Sequence, residues 1–270
     1  MSVLDKIIDR KKVEVAEAKA KLSFAELEKQ IQPGMVNLSL KQHLLALNKT
    51  GIIAEFKKGS PSKGIINDQV KPEIVTKGYE LAGASACSVL TDRDFFFGTE
   101  ADLKAARAAI KIPLLRKDFM IDEYQILEAK AWGANIILLI AACLTPAEVQ
   151  RLAKFAHSLD LEVLLEVHNK QELLSNLIDE VDVIGVNNRN LKTFDVSINT
   201  SLELAELIPN RYVKISESGL DAPEDLITLD KAGFKGFLMG ERFMREQDPG
   251  KAMMEFVERY EALKKNSFFP

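Results

Sequence analysis

Short apolar segments recur along most of the chain, and longer segments of mixed charge separate them. The apolar segments are rich in β-branched residues and have the length of single strands, which predicts β structure. Their starts lie roughly 20 to 35 residues apart, the length of one strand–helix unit. The eight strands predicted in this way cover residues 52–57, 84–90, 112–116, 136–140, 161–167, 181–187, 212–216 and 236–239.

The segments between the strands predict helices. The clearest of them cover residues 72–82, 100–109, 123–132 and 146–159. Strands that are apolar almost throughout are buried on both faces, which is typical of a parallel sheet covered by helices. Eight strand–helix units fit a closed barrel better than an open, doubly wound sheet. The sequence therefore predicts an α/β protein in which residues 49–270 form a (β/α)8 TIM barrel.

The chain before the first strand also predicts helices. Residues 2–30 predict one helix, because Ser2 can cap its amino end and apolar residues recur along one side. A proline–glycine pair at 33–34 ends this helix, and a second short helix is expected over residues 39–48. We expect residues 1–48 to be an N-terminal helical extension packed on the barrel, so that the chain is a single domain.

Charge and hydropathy narrow the classes of partner. The formal net charge of the 270-residue chain is −4, so no excess of positive charge favours a nucleic acid or an anionic membrane. The two cysteines, Cys87 and Cys143, lie in apolar segments and predict reduced, buried thiols. The amino-terminal segment is charged, and the longest apolar run, residues 136–144, is far shorter than the roughly 20 residues of a membrane span. We expect a cytoplasmic monomer with no nucleic-acid or membrane partner.

Polar and charged groups stand at the carboxyl ends of five predicted strands, where the catalytic groups of such barrels lie. Glu55 and Lys57 are two residues apart and therefore share the strand face of Ile53. Any one such group is more often a solvated rim residue. Together, three acidic and three basic groups can pair, keep one another ionised and shift one another's pKa values. The set is Glu55, Lys57, Lys117, Glu166, Asn187, Arg189 and Glu217.

Glycine-containing turns follow the last two predicted strands. Phosphate sites in this fold are frequently built from these two loops, with backbone N–H groups as donors. Gly219 and Gly240 allow the backbone to approach a ligand closely. Lys57 and Ser60 follow the first strand, which a closed barrel places beside the eighth. The sequence therefore predicts a small-molecule sugar-phosphate ligand.

The types of residue that the predicted site lacks also narrow the chemistry. Of three histidines, only His168 lies near the predicted mouth, and we expect its side chain to point away from that of Glu166. No His, Cys or Asp group has the spacing of metal ligands, and nearby cations would compete with Mg²⁺ for the carboxylates. No nucleophile elbow is present. We therefore predict acid–base catalysis by Lys and Glu, with no metal and no cofactor.

Seven segments of the chain resemble the indole-3-glycerol-phosphate synthase family, over the whole barrel and the extension. The most specific are EFKKGSPSKG and RKDFMIDEYQI. The others are SVLTDRDFFFG, LLEVH, IGVNNRNL, ISESGL and GFLMGERFM. The resemblance implies a lyase of tryptophan biosynthesis that converts 1-(2-carboxyphenylamino)-1-deoxyribulose 5-phosphate to indole-3-glycerol phosphate, with loss of carbon dioxide and water.

The resemblance also implies three acid–base roles. Lys117 looks like the general acid that protonates the substrate carbonyl and so drives ring closure. Lys57 is implied to meet the substrate carboxylate and to supply a proton at dehydration, and Glu166 to be the acid or base of the dehydration. Because burial disfavours a charged ammonium, we expect the pKa of Lys117 to be lowered, which makes it a better acid at neutral pH.

The remaining positions are implied to contact the substrate or to hold the lysines. Glu55, Asn187 and Glu217 hold the lysines and the substrate hydroxyls, and Arg189 steadies the carboxylate end. The implied phosphate contacts are Lys57, Ser60, Ser218, Gly219, Gly240 and Glu241, and the aromatic ring is walled by Phe96, Phe119, Leu138 and Leu191. Glu241 stands where many members have a serine, so we expect its backbone N–H to face the phosphate and its side chain to point away.

Two other functions remain open from the residues themselves. One is an aldolase that uses Lys117 or Lys57 to form a Schiff base with a ketose phosphate. The other is a barrel that binds a sugar phosphate without catalysis. Borohydride trapping with substrate separates the first alternative from the synthase.

Overall fold

The described residues of the amino-terminal segment form three helices rather than the two that were predicted. The computed structural model describes residues 2–31, 34, 36–191 and 193–268. The helices of this segment are α1 Val3–Lys21, α2 Phe24–Glu28 and α3 Leu40–Leu45.

One continuous helix over residues 2–30 was therefore a wrong prediction. Ser2 does cap α1, as expected, but the chain leaves the helix at Leu22. The hydroxyl of Ser23 then accepts a hydrogen bond from the backbone N–H of Glu26 and starts a new helix. Pro33, the residue expected to end the helix, lies outside the described residues.

Eight parallel strands close into a barrel, which confirms the predicted TIM-barrel fold. Each strand pairs with the next along the chain, and the last pairs with the first, so that Ile53 lies opposite Leu238. All eight strands lie where the apolar segments predicted them. They are β1 Ile52–Phe56, β2 Ala86–Leu90, β3 Leu114–Lys117, β4 Ile136–Ile140, β5 Glu162–Val167, β6 Val183–Asn187, β7 Val213–Glu217 and β8 Gly236–Met239.

Helices follow every strand and cover the outside of the barrel. A short antiparallel hairpin, in which Gly59–Ser60 pairs with Gly64–Ile65, follows β1. None of the helices in the described parts of the chain is long and apolar enough to cross a membrane. The helices are α4 Pro72–Leu81, α5 Glu100–Ala109, α6 Glu123–Ala131, α7 Pro146–Ser158, α8 Lys170–Ser175, α9 Asn199–Leu204, α10 Pro223–Lys231, α11 Glu241–Met244 and α12 Pro249–Phe268, with 3-10 turns at Ala141–Cys143 and Ala205–Leu207.

The apolar core has two layers, and the inner layer determines where polar groups can lie. Between the strands and the helices, one layer of buried side chains surrounds the barrel. Inside the barrel a second layer includes Ile53, Leu115, Leu164 and Ile215. Because strand side chains alternate between faces, the inward residue that follows each of these lies two positions later. The ends of the strands therefore project their side chains over a filled apolar floor.

A buried ion cluster fastens α1 to two loops of the barrel. Lys11 is only 3% exposed, and its Nζ lies 2.8 Å from Asp92 and 2.9 Å from Asp118, which follow β2 and β3. Arg116 lies 3.2 Å from the same Asp118 carboxylate. Burial favours the neutral form of Asp118, but Lys11 and Arg116 outweigh it and lower its pKa to about 2. The cluster therefore fixes the loops after β2 and β3, which carry Phe96 and Phe119 and of which the second begins directly after Lys117.

We predict that Lys11→Met lowers the free energy of unfolding by about 3–5 kcal/mol at pH 7, because Asp92 and Asp118 lose a buried cation that both contact. Urea denaturation would measure this. The pKa of Asp118 is depressed, so its contribution is present above its unfolded value of about 3.9 and is lost as pH falls towards 2. The difference from wild type should therefore narrow below about pH 4.

Lys12→Met is the matched control, since Lys12 is exposed and its partner Asp9 is also at the surface. We expect a cost under about 1 kcal/mol for that variant. Equal stability of the Lys11 and Lys12 variants would contradict the role given to the buried cluster.

Candidate active site

A cavity of about 520 Å³ opens over the carboxyl ends of the strands. This volume lies within the range of roughly 300–1,000 Å³ that is usual for small-molecule sites. The structure brings together all sixteen residues that the sequence predicted for the site. The cavity is lined by Glu55, Lys57, Ser60, Phe96, Lys117, Phe119, Leu138, Glu166, Asn187, Arg189, Leu191, Glu217, Ser218, Gly219, Gly240 and Glu241.

Lys117, the last residue of β3, lies at the centre of the inner end of the cavity. Its Nζ donates to Glu217 at 2.7 Å and to Glu166 at 3.3 Å. Burial alone would lower the pKa of Lys117, but the negative charges of Glu217, Glu166 and Glu55 outweigh it and raise the pKa. The predicted lowering of this pKa was therefore wrong for the free site, because the carboxylates dominate over desolvation.

Glu166 and Glu217 share this one ammonium, and their ionisations are linked. Burial favours the neutral form of Glu166, but Lys117, with support from His168 and Asn187, lowers its pKa. Glu217 lies closest to Lys117, yet burial and the charge of Glu166 outweigh that attraction and raise its pKa. The site thus holds two carboxylates of unlike proton affinity around one cation.

The second lysine of the site is paired separately. Lys57 Nζ lies 3.1 Å from Glu55 Oε1, and the Glu55 side chain is buried against the backbone at the end of β8. A Cβ atom at Gly240 would lie 2.7 Å from that same carboxylate oxygen. Glycine at 240 therefore makes the room in which Glu55 holds Lys57.

The amide of Asn187 connects the acidic group to the next loop. Its Nδ2 donates to Glu166 Oε1 at 3.1 Å, while its Oδ1 accepts from the backbone N–H of Arg189 at 3.0 Å. These two bonds fix the orientation of the amide. Arg189 consequently lines the cavity directly beyond the end of β6.

The turn after β7 presents backbone to the cavity. Ser218 and Gly219 both have positive φ, 69° and 70°, and the amide of Asn188 donates to the carbonyl of Ser218 at 3.0 Å. A Cβ atom at Gly219 would lie 2.2 Å from Val196, so this position requires glycine. That the N–H groups of this turn bind an anion stays a prediction from the sequence.

The chain is similar to proteins of one family over almost its whole length. A family model described as indole-3-glycerol phosphate synthase matches residues 4–256. Curated relatives of that name from Bacteroides thetaiotaomicron, Polynucleobacter asymbioticus and Carboxydothermus hydrogenoformans are 45%, 44% and 43% identical to the chain. The alignments cover 94%, 94% and 93% of this chain and 97%, 98% and 97% of those proteins. The chain belongs to the indole-3-glycerol phosphate synthase family.

Membership of the synthase family makes the protein a decarboxylating lyase of tryptophan biosynthesis, and confirms the resemblance found in the sequence. A solved structure described as "Native KDPGal structure" shares the fold, with a TM-score of 0.57 at 13% identity. That alignment covers 83% of this chain and 98% of the other. Among the residues that the structure describes, no group of three or more His, Cys, Asp or Glu side chains is arranged to hold a metal ion.

The side chain of Glu241 does not point away from the cavity of this synthase-family member. Its carboxylate lies 3.5 Å from Lys63 and 4.0 Å from Arg189. Two cations that line the cavity therefore hold this carboxylate, and that it points away from a bound phosphate stays a prediction. Lys63 itself lines the cavity and was not singled out from the sequence.

An apolar wall completes the synthase-family cavity. The rings of Phe96 and Phe119 are tilted against each other with centroids 6.0 Å apart. The sequence missed Leu4 and Ile7, which α1 contributes to this wall. Both lie on the apolar side of α1, and that pattern could have identified them if the helix had been placed over the mouth. Other apolar lining residues that the sequence missed include Leu90, Ile140, Phe194 and Val196.

His168 contacts Glu166, so the expectation that the two point apart was wrong. Residues two apart in a strand project to the same face, and both lie at the carboxyl end of the barrel. His168 Nε2 lies 3.3 Å from Glu166 Oε1. Counting along the strand would have identified this pair.

We predict that Gly185→Ala lowers kcat for the synthase reaction by about 100-fold with little effect on KM, because a displacement of about 1 Å can have that effect. A Cβ atom at 185 would lie 2.2 Å from Glu217 Oε1 and would push that carboxylate away from Lys117. Steady-state kinetics on folded protein would measure the loss. Ile184→Val, one residue along β6 on the outer face, is the control: it should cost about 1 kcal/mol of stability and leave kcat unchanged. Equal kcat in the two variants would contradict the prediction.

Proposed function

We propose that this cavity converts 1-(2-carboxyphenylamino)-1-deoxyribulose 5-phosphate to indole-3-glycerol phosphate. The observation that carries the proposal is the charged, buried Lys117 between Glu166 and Glu217, below an apolar wall and opposite a backbone turn suited to phosphate. Such an arrangement supplies a proton at one end of an elongated substrate and fixes its anionic group at the other.

Ring closure begins at the substrate carbonyl. Lys117 gives its proton to the carbonyl oxygen while an electron pair of the aromatic ring forms the new carbon–carbon bond to the carbonyl carbon. The bond to the carboxylate then breaks, its electrons restore the aromatic ring, and carbon dioxide leaves. Glu217 and Glu166 hold Lys117 in its charged form before this step.

Dehydration follows in the same cavity. The carbon that lies between the nitrogen and the hydroxyl-bearing carbon gives a proton to Glu166. The hydroxyl leaves as water with a proton supplied by Lys57. Over both steps, the former carbonyl oxygen gains one proton from Lys117 and one from Lys57, and the carbon next to the nitrogen loses one proton to Glu166. Each turnover of an ionised carboxylate substrate therefore takes one proton from solvent.

One set of groups holds the substrate phosphate and another holds its carboxylate, and Lys57 belongs to both sets. Phosphate is held by Ser60, by the turn at Ser218 and Gly219, and by the backbone at Gly240 and Glu241, with Lys57 nearby. Arg189 and Lys57 steady the carboxylate, and Glu55 and Asn187 hold the groups around it. The aromatic ring lies against Phe96, Phe119, Leu138 and Leu191.

The extension and the barrel act together in this proposal. Leu4 and Ile7 of α1 share the cavity wall with strand ends, which supports one domain made of residues 1–48 and 49–270. A small phosphorylated substrate is the proposed partner, and the net charge of −4 gives no support to nucleic acid as another. We propose that the protein acts as a monomer in the cytoplasm, without metal or cofactor.

We predict that Lys117→Met lowers kcat by about 10²–10⁴-fold, the contribution typical of a general acid. The measurement is indole fluorescence after mixing substrate with purified, chelator-treated protein. Lys111→Met, which removes an exposed lysine ahead of the same strand, should keep normal kcat. Near-normal turnover by the Lys117 variant would overturn its assignment.

The same assay tests the function itself. Wild-type protein should form product with no added metal or cofactor. Folded protein that forms none would contradict the proposed reaction, and borohydride trapping with a ketose phosphate would then identify a Schiff base if one forms.

A further inference from the structure

His168 has no part in the chemistry described so far, and it does not line the cavity. It follows the end of β5, and its side chain is 8% exposed. One ring nitrogen, Nε2, lies 3.3 Å from Glu166 Oε1, the oxygen that also accepts from Asn187. His168 therefore contacts Glu166 without lining the cavity.

Glu172 of α8 holds the ring from outside the barrel. The other ring nitrogen, Nδ1, lies 3.1 Å from Glu172 Oε2, and the backbone N–H of His168 donates to the same oxygen at 2.7 Å. The amide of Asn169 donates to the second oxygen of Glu172 at 2.6 Å. The ring is thus fixed between a carboxylate inside the barrel and one outside it.

The groups around His168 favour its charged form. Burial would lower the pKa of His168, but its contacts with Glu166 and Glu172 outweigh burial and raise the pKa to about 10. The 3-10 turn that ends at Cys143 packs against β5 and α8. Burial, and then the charges of Glu166 and Glu172, raise the pKa of the Cys143 thiol, which is therefore neutral. His168 is accordingly an imidazolium at neutral pH.

A second cation near Glu166 matters because Lys117 cannot stabilise the Glu166 carboxylate throughout the reaction. Lys117 already divides its charge between Glu166 and Glu217. Once it has given its proton to the substrate carbonyl, it is neutral and stabilises neither carboxylate. Glu166 is then the group that must accept a proton from carbon. The imidazolium of His168 is still in place at that stage, 3.3 Å from Glu166.

We propose that His168 is a positioning residue that keeps Glu166 ionised and correctly oriented as a base after Lys117 has released its proton. The inference rests on the proposed role of Glu166 in dehydration. His168 itself touches no substrate and transfers no proton in this account.

We predict that His168→Gln, which keeps a donor but removes the charge, lowers kcat at pH 7 by about 10-fold or more with KM nearly unchanged. The acid limb of the kcat–pH profile should move to higher pH by about 1–2 units, because the anion of Glu166 loses a neighbouring cation. His157→Gln is the matched control, since His157 is also paired with a carboxylate, Asp182, but on the exposed surface.

A second measurement needs no turnover. In the ligand-free protein, the ring nitrogen resonances of His168 should report a charged ring well above pH 7, and Glu166→Gln should move its midpoint towards the ordinary value of about 6.5. If wild-type protein lacks synthase turnover, the proposed function fails, while this titration still tests the pairing. The inference would be overturned if His168→Gln kept the kcat and the acid limb of the wild-type protein. It would also be overturned if the titration midpoint of His168 were the same in Glu166→Gln as in the wild-type protein.

Discussion

One buried ammonium, that of Lys117, governs the arrangement of the site. An isolated charge inside an apolar barrel would be lost by deprotonation, so this lysine needs anionic neighbours. Glu166 and Glu217 supply them, and their burial in turn depends on the lysine. Room for Glu217 is made by the missing side chain at Gly185, while Asn187 fixes Glu166. The polar end of the cavity is therefore a mutually dependent set in which the loss of one member leaves the others uncompensated.

A second buried ion cluster, around Lys11, fixes the side of the cavity that α1 and the loops after β2 and β3 form. Lys11 of α1 is buried among carboxylates on the loops after β2 and β3, the loops that also carry Phe96 and Phe119. An extension outside the barrel thereby determines the position of an aromatic wall inside the cavity. This contact explains why α1 can line the site without belonging to the eightfold repeat.

The strands and the inward-facing charges could be predicted from sequence because both depend on local alternation. Glu55 and Lys57, for example, project inward because Ile53 does. Properties that depend on several elements together could not be predicted. The raised pKa of Lys117 requires the distances to carboxylates on two distant strands, and the contacts of the Glu241 carboxylate require cations on two other loops. The helix break before Ser23 is different, because its signal is local: Ser23 and Glu26 form a capping box. The prediction missed it because charged residues recur on both sides of the break.

The cavity is lined by residues near both ends of the described chain, from Val3 to Arg242. The barrel likewise closes through the pairing of its first strand, β1, with its last, β8. While a ribosome makes the protein, β1 must therefore wait for almost the whole chain with one edge unpaired. An unpaired strand edge is the feature that most readily joins another chain. The interval between the synthesis of β1 and that of β8 is consequently a stage at which this protein is exposed to mispairing with other nascent chains.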